Sequence, residues 1–314
     1  MREDPVRQGL LYLGTENALY ISSNDGANWI PLQTNLPHAP AHWLVVQEHF
    51  NDLVVATYGR GYWILDDITP LQQLTPEVLN SAVHLFAPRP AYRFHPSPAP
   101  LTQTGDPSLG RNPPVGASLN YYLKTAETAP VKITILDEKG RMVRTLEGTK
   151  DRGINRIWWD LRSELSKEIR LRTSPLAAPW ITVGPQGWRP YPGRGGRISI
   201  LMPPGAYTVK LTVGEKEFSQ KLIVKKDPNS AGNEKDIQAQ IKLLLEVRNN
   251  IEGVADLINP LEWMRKQISD LQPLLMKEKR AESIIAAGKA LEKKAISIED
   301  HLYELSRTGR GSDS

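Results

Sequence analysis

Tyr58, Arg60, Tyr62 and Trp63 are the residues of this 314-residue chain best suited to ligand chemistry. A guanidinium set between Gly59 and Gly61 and flanked by aromatic rings can stack on a sugar or clamp a carboxylate. The same residues also fit a plain hairpin, with Tyr62 and Trp63 on opposite faces of one strand and Arg60 exposed at the tip. Asp66 and Asp67 form the most suggestive carboxylate pair. Adjacent strand residues point to opposite faces, so the two cannot flank one glycosidic bond, and a strand-end turn is the expected role. His38 and His42 stand four apart, but Pro37 and Pro40 exclude the helix that would align them, and no third ligand follows. No catalytic Ser, His and acid trio and no Gly-rich phosphate loop emerges. The expectation is therefore no catalytic residue, no metal and no cofactor within this chain.

The elements that position these residues are short strands. Leu10 to Thr15 and Leu19 to Ser22 alternate as a hairpin, and Ser22, Asn24, Gly26 and Trp29 spell the next turn. These four match the Ser-x-Asp-x-Gly-x-x-Trp pattern of an Asp-box, with Asn24 at the Asp position. The short polar side chains can bond nearby backbone N–H groups, Gly26 can take positive φ, and Trp29 can bury a large ring over the turn. The segment recurs in degenerate form: Leu10 to Thr15 align with Leu53 to Tyr58, 43 residues further on. Propeller blades repeat at roughly 40 to 50 residues. Residues 1–70 therefore read as terminal blades of a truncated Asp-box β-propeller. A closed ring needs roughly four to eight blades and fewer than two are present, so missing blades of a longer chain are the expected partners.

Further along, residues 71–115 are proline-rich and read as a linker, although Leu85 to Arg89 and Tyr92 to Phe94 have the pattern of short extended pieces able to dock on the blades. Residues 116–228 carry five to seven short strands with hairpin turns, the pattern of an immunoglobulin-like sandwich, interrupted by an insertion at 162–196 expected to pack as a loop over the sandwich or the blades. From residue 229 to 308 the apolar period becomes 3.6. Asn259 and Pro260 read as the cap and first residue of a new helix and Pro273 as an interruption, which implies two or three antiparallel helices. Residues 309–314 read as a disordered tail. The expected fold class is mainly β with an α-helical C-terminus: partial propeller blades, a sandwich and a helical hairpin or bundle.

Charged residues make up 24% and the formal net charge is +4. The basic residues between Lys139 and Arg156 interleave with acidic ones, which argues for a solvated strand face and against a nucleic-acid groove. No apolar run reaches membrane-spanning length, and the absence of cysteine excludes disulfides and thiolate chemistry.

On Gly9 to Thr15 leading into the Asp-box, and on Ala56 to Asp67, the chain resembles the C-terminal part of bacterial BNR/Asp-box glycosyl-hydrolase-like, sortilin-like β-propeller proteins. Asn112 to Ala117 match a Pro-Pro-x-Gly-Ala segment that in such proteins leads into a sandwich, and Lys139 to Arg144 and Pro204 to Val209 resemble the immunoglobulin-like module of flagellar-hook capping proteins. The resemblance implies export to the periplasm or beyond and a propeller that binds carbohydrate or polypeptide. A non-catalytic binding or scaffolding role is the leading expectation. One alternative is the C-terminal part of a sialidase-like glycoside hydrolase, to whose site Tyr58 and Arg60 would supply one member each. The other is a helical protein-interaction module.

Overall fold

Apolar alternation pairs the N-terminal strands into two small antiparallel sheets, as described by a computed structural model covering residues 1–94, 110, 112–191, 196–276 and 278–305. The first sheet runs β1 (Arg2–Glu3), β2 (Leu11–Gly14), β3 (Leu19–Ser22) and β4 (Ile30–Pro31) in sequence order. The second is β5 (Ala41–Gln47), β6 (Asp52–Thr57) and β7 (Tyr62–Leu65). They share one core in which Leu10, Tyr12, Leu19 and Ile21 meet Leu44, Leu53, Val55 and Ile68. Gly14 permits the close approach of β2 and β5, because a Cβ there would sit 2.4 Å from the Ala41 carbonyl oxygen.

The segment expected as a linker is instead structured over its described residues. Pro70 and Pro76 sit in the first turns of α1 (Thr69–Gln73) and α2 (Pro76–Asn80), where a missing N–H costs nothing. β8 (Val83–Leu85) then pairs with β10 (Ala117–Leu123), and β9 (Ala91–Arg93) runs parallel to β17 (Lys216–Lys226). The extended pieces foreseen there thus join the following sheets, because Val83, Leu85 and Ala91 supply apolar residues to that core. Composition misled here: the prolines mark caps and strand ends. Residues 95–109 and 111 of that segment lie outside the described residues.

β11 (Val131–Leu136), β12 (Met142–Glu147), β13 (Gly153–Trp159), β14 (Arg170–Leu171), β15 (Arg189–Pro190) and β16 (Gly205–Val213) complete the strands. A three-stranded sheet, β13-β10-β8, and a five-stranded sheet, β12-β11-β16-β17-β9, enclose a core built on Leu119, Tyr121, Trp159, Ile133, Val209 and Leu222. The chain is β-rich with a helical C-terminal region, and its β part includes a curled, half-barrel sheet.

Two compact units emerge: Met1–Ser163 with Leu201–Glu234, and the described residues of Glu164–Ile200 with Lys235–Ser314. The insertion therefore groups with the helices. Its β14 and β15 form a two-stranded ribbon, and Ile169 and Leu171 bury against Ala255 and Ile258. The helices differ from expectation as well. One helix, α3 (Glu234–Leu275), continues through Pro260 and Pro273, followed by α4 (Glu282–Leu302). Proline in a helix interior costs about 3 kcal/mol. Packing offsets that cost on both flanks: Asn259 donates to the Glu168 carbonyl at 3.0 Å and accepts from the Arg170 N–H at 2.8 Å, and Glu262 accepts the Thr173 N–H at 2.8 Å. The expected tail at 309–314 lies outside the described residues.

Candidate functional site

The hairpin between β6 and β7 places the sequence-derived candidates on an exposed tip. Gly59 and Gly61 both take positive φ, the backbone that closes this turn. Tyr58 and Tyr62 are 73% and 82% exposed, and Arg60 is exposed beside them. Trp63 turns inward: its indole N–H donates to the Arg60 carbonyl at 3.0 Å while its ring packs on the core. The Tyr58 ring stacks on His42 at 5.6 Å. The tip is a surface without walls.

The Asp-box turn is held by its own side chains. Ser22 Oγ accepts the Gly26 N–H at 2.9 Å and donates to Asn24 Oδ1 at 3.0 Å, which also accepts the Asn28 N–H. Gly26 has φ +83°, and its open side faces the Trp29 ring. The Ser22 hydroxyl and the Asn24 side-chain oxygen are both committed within the turn, the arrangement of a structural motif.

A walled site lies elsewhere in the first unit. Phe50 and Asp52 at the β5–β6 turn, Arg89 to Tyr92 and Phe94 around β9, Asn112 to Pro114, Gly116, and Trp158 of β13 line a cleft of about 360 Å³. Local sequence explains the fixity of its walls. Arg89 stands between Pro88 and Pro90, which restrict the backbone on both sides. Tyr92 and Phe94 are two apart and share one face, their rings nearly parallel at 5.6 Å. Gly116 has φ +141° and a Cβ there would lie 2.0 Å from the Trp159 carbonyl oxygen, so only glycine lets this segment pass.

The polar element of the cleft is one ion pair. Arg89 Nη1 donates to Asp52 Oδ1 at 3.0 Å and to the Phe50 carbonyl, and the guanidinium lies over the Phe50 ring at 5.5 Å. Asp52 Oδ1 also accepts the Asp67 N–H at 2.8 Å. Behind it, Arg156 holds the Asp66 and Asp67 carbonyls at 2.6 Å each. Burial raises the Asp66 pKa above the usual carboxylate range; Asp52 adds to the shift, and Arg156 and Arg89 oppose it. Asp66 is not among the cleft-lining residues. Sequence reading missed this site because its walls come from four distant segments. The proline-bracketed Arg89 and the Tyr92–Phe94 spacing were the signals present.

The second unit holds a buried charge cluster. Arg265 of α3 reaches Glu262 at 2.9 Å and Glu299 of α4 at 2.5 Å, all three at most 3% exposed. Burial pushes the Glu299 carboxyl up to about 7, with Arg265 opposing and Glu262 adding to the shift. The ion pairs link α3 to α4, and none of the three residues lines the cleft at Arg89. Among the described residues no group of three His, Asp or Glu side chains could hold a metal ion, and no helix is long and apolar enough to cross a membrane.

No family model matches the chain, and no curated protein matches it. Solved structures similar to it include trypsin-activated alpha-2-macroglobulin from Escherichia coli and a mutant of Salmonella alpha-2-macroglobulin, each at 12% identity and TM-score 0.22. The matches cover 67% and 69% of this chain but 11% and 12% of those chains. A likeness at this level carries no argument about fold or function.

Proposed function

We propose that the chain is a non-catalytic binding and scaffolding portion of an exported bacterial protein, taking a carbohydrate or polypeptide ligand. The observation that carries this is the cleft whose one carboxylate, Asp52, is already bound to Arg89 and to the Asp67 N–H. A carboxylate fixed in this way and neutralised by a guanidinium is poorly placed to move protons, while the half-buried rings around it supply recognition area. The exposed Tyr58, Arg60 and Tyr62 would form a second, weaker contact surface.

The scaffolding part rests on the sheet β5-β6-β7. In register, Trp43 pairs with Ala56 and Ala56 with Tyr62, while Val45 pairs with Val54 and Val54 with Ile64, so all six share a face. Trp43 and Ile64 are each 59% exposed. The opposite face of the same sheet packs on β1-β2-β3-β4. An apolar sheet face of this kind supports reading the two sheets as propeller blades, with a further blade as occupant, and the two-sheet core as an immunoglobulin-like brace.

A glycoside-hydrolase reading draws on Tyr58 and Arg60 and on Asp66, whose raised pKa beside Asp52 is the environment of a general acid. Printed arrays of glycans and peptides probed with the full chain, with mass spectrometry of the ligands afterwards, separate the readings. Retention of intact ligand, lost on Arg89→Ala, is expected. Cleaved ligand, or no retention, would refute the binding role.

A further inference from the structure

We infer that the cleft between the β5–β6 turn and β9 is a site for a neutral carbohydrate, recognised by the Arg89–Asp52 pair and the surrounding rings; this rests on the binding role proposed above. Hydrogen-bond capacity at the pair is the first ground. Arg89 uses Nη1, and Asp52 uses Oδ1; among the described residues Nε and Nη2 of the guanidinium and Oδ2 of the carboxylate make no hydrogen bond. Both residues line the cleft, so an ion-paired couple with donor and acceptor capacity left over forms part of its wall. A hydroxyl group both donates and accepts, so adjacent sugar hydroxyls satisfy both at once.

Charge is the second ground. The pair is neutral as a unit, and Lys225, whose Nζ lies 5.8 Å from the Tyr92 ring centroid, is not among the lining residues. An anionic ligand would find the guanidinium already compensated, and a cation would find the carboxylate compensated.

The remaining lining decides between sugar and peptide. Phe50, Tyr92, Phe94 and Trp158 offer apolar ring surface for the C–H faces of a pyranose. Peptide capture by strand addition needs backbone N–H and C=O groups at the wall, and Pro90, Pro113 and Pro114 have no N–H to give. A run of prolines would offer carbonyl acceptors to Arg89 but no backbone donor for Asp52 Oδ2. At about 360 Å³ the cleft is near the lower end of the roughly 300–1,000 Å³ of small-molecule sites, room for a short stretch of glycan.

Calorimetric titration of the full chain tests this, with cello-, malto-, manno- and chito-tetraose as neutral probes, tetragalacturonate as the anionic probe and decaproline as the peptide probe. Binding of at least one neutral tetrasaccharide is expected, and weaker binding of the other two classes. Asp52→Asn keeps an acceptor for Arg89 and the Asp67 N–H but exchanges the unused acceptor for a donor, and should weaken that sugar about tenfold. Tyr92→Leu, at a half-buried ring, should weaken it similarly with the melting temperature retained. Decaproline or tetragalacturonate binding without any neutral sugar would overturn the inference and leave the binding role standing. Sugar binding unchanged in both variants would overturn the assignment to this cleft. Silence from every probe would overturn the inference and the binding role together.

Discussion

Asn120 Nδ2 donates to Asp67 Oδ2 at 3.1 Å, and both residues are 1% exposed. This bond joins the end of β7 to the middle of β10, making the N-terminal sheets and the two-sheet core one unit. Asp67 sits at φ +54°, an uncommon conformation for a non-glycine residue, and is held there by Thr69, Asn120 and the guanidinium of Arg156 on its carbonyl. Asn120→Leu leaves the Asp67 carboxylate buried with a donor missing and removes the acceptor of Arg156 Nε. Urea denaturation should show a loss of about 3 kcal/mol. A loss below about 1 kcal/mol would mean that the junction does not depend on this bond.

Much of the β architecture was legible from local pattern. The hairpins at residues 10–22, 53–65 and 131–147 follow from alternation and turn residues, and the Ser22, Asn24 and Gly26 turn from short polar side chains beside a positive-φ glycine. The cleft was not legible, because it depends on the parallel pairing of β9 with β17, residues 91–93 with 224–226, which no local periodicity encodes. The continuity of α3 was hidden for a similar reason: the contacts that hold it through Pro260 come from residues 168–173.

Glu299 makes the second unit pH-sensitive. Its carboxyl is raised from 4.5 to about 7 by burial, so the folded state binds the proton more tightly than the unfolded state. The contribution is fully present below about pH 4.5 and is lost as pH rises through about 7, by an amount on the order of 2 kcal/mol. The groups facing it are Arg265, which opposes the shift, and Glu262, which adds to it. Glu299→Gln should flatten the difference between pH 5 and pH 8 in helical melting followed by circular dichroism. A variant with the same pH slope as the parent would remove Glu299 as its source.

The apolar face of β5-β6-β7 should make the chain associate. Tyr62→Ser with Ile64→Lys changes exposed positions, so stability should stay within about 0.5 kcal/mol, while concentration-dependent association in sedimentation velocity should fall. Association equal in parent and variant would show that this face is not a docking surface.

The claim that ligand enters the walled cleft and not the hairpin tip is tested most directly by hydrogen exchange of the full chain with and without the neutral tetrasaccharide that binds it. Residues 48–53, 88–94, 112–116 and 156–160 are remote in sequence and come together at the cleft. The account predicts that these four segments gain protection together while residues 58–63 do not. Protection confined to 58–63, or to none of the four, would contradict it.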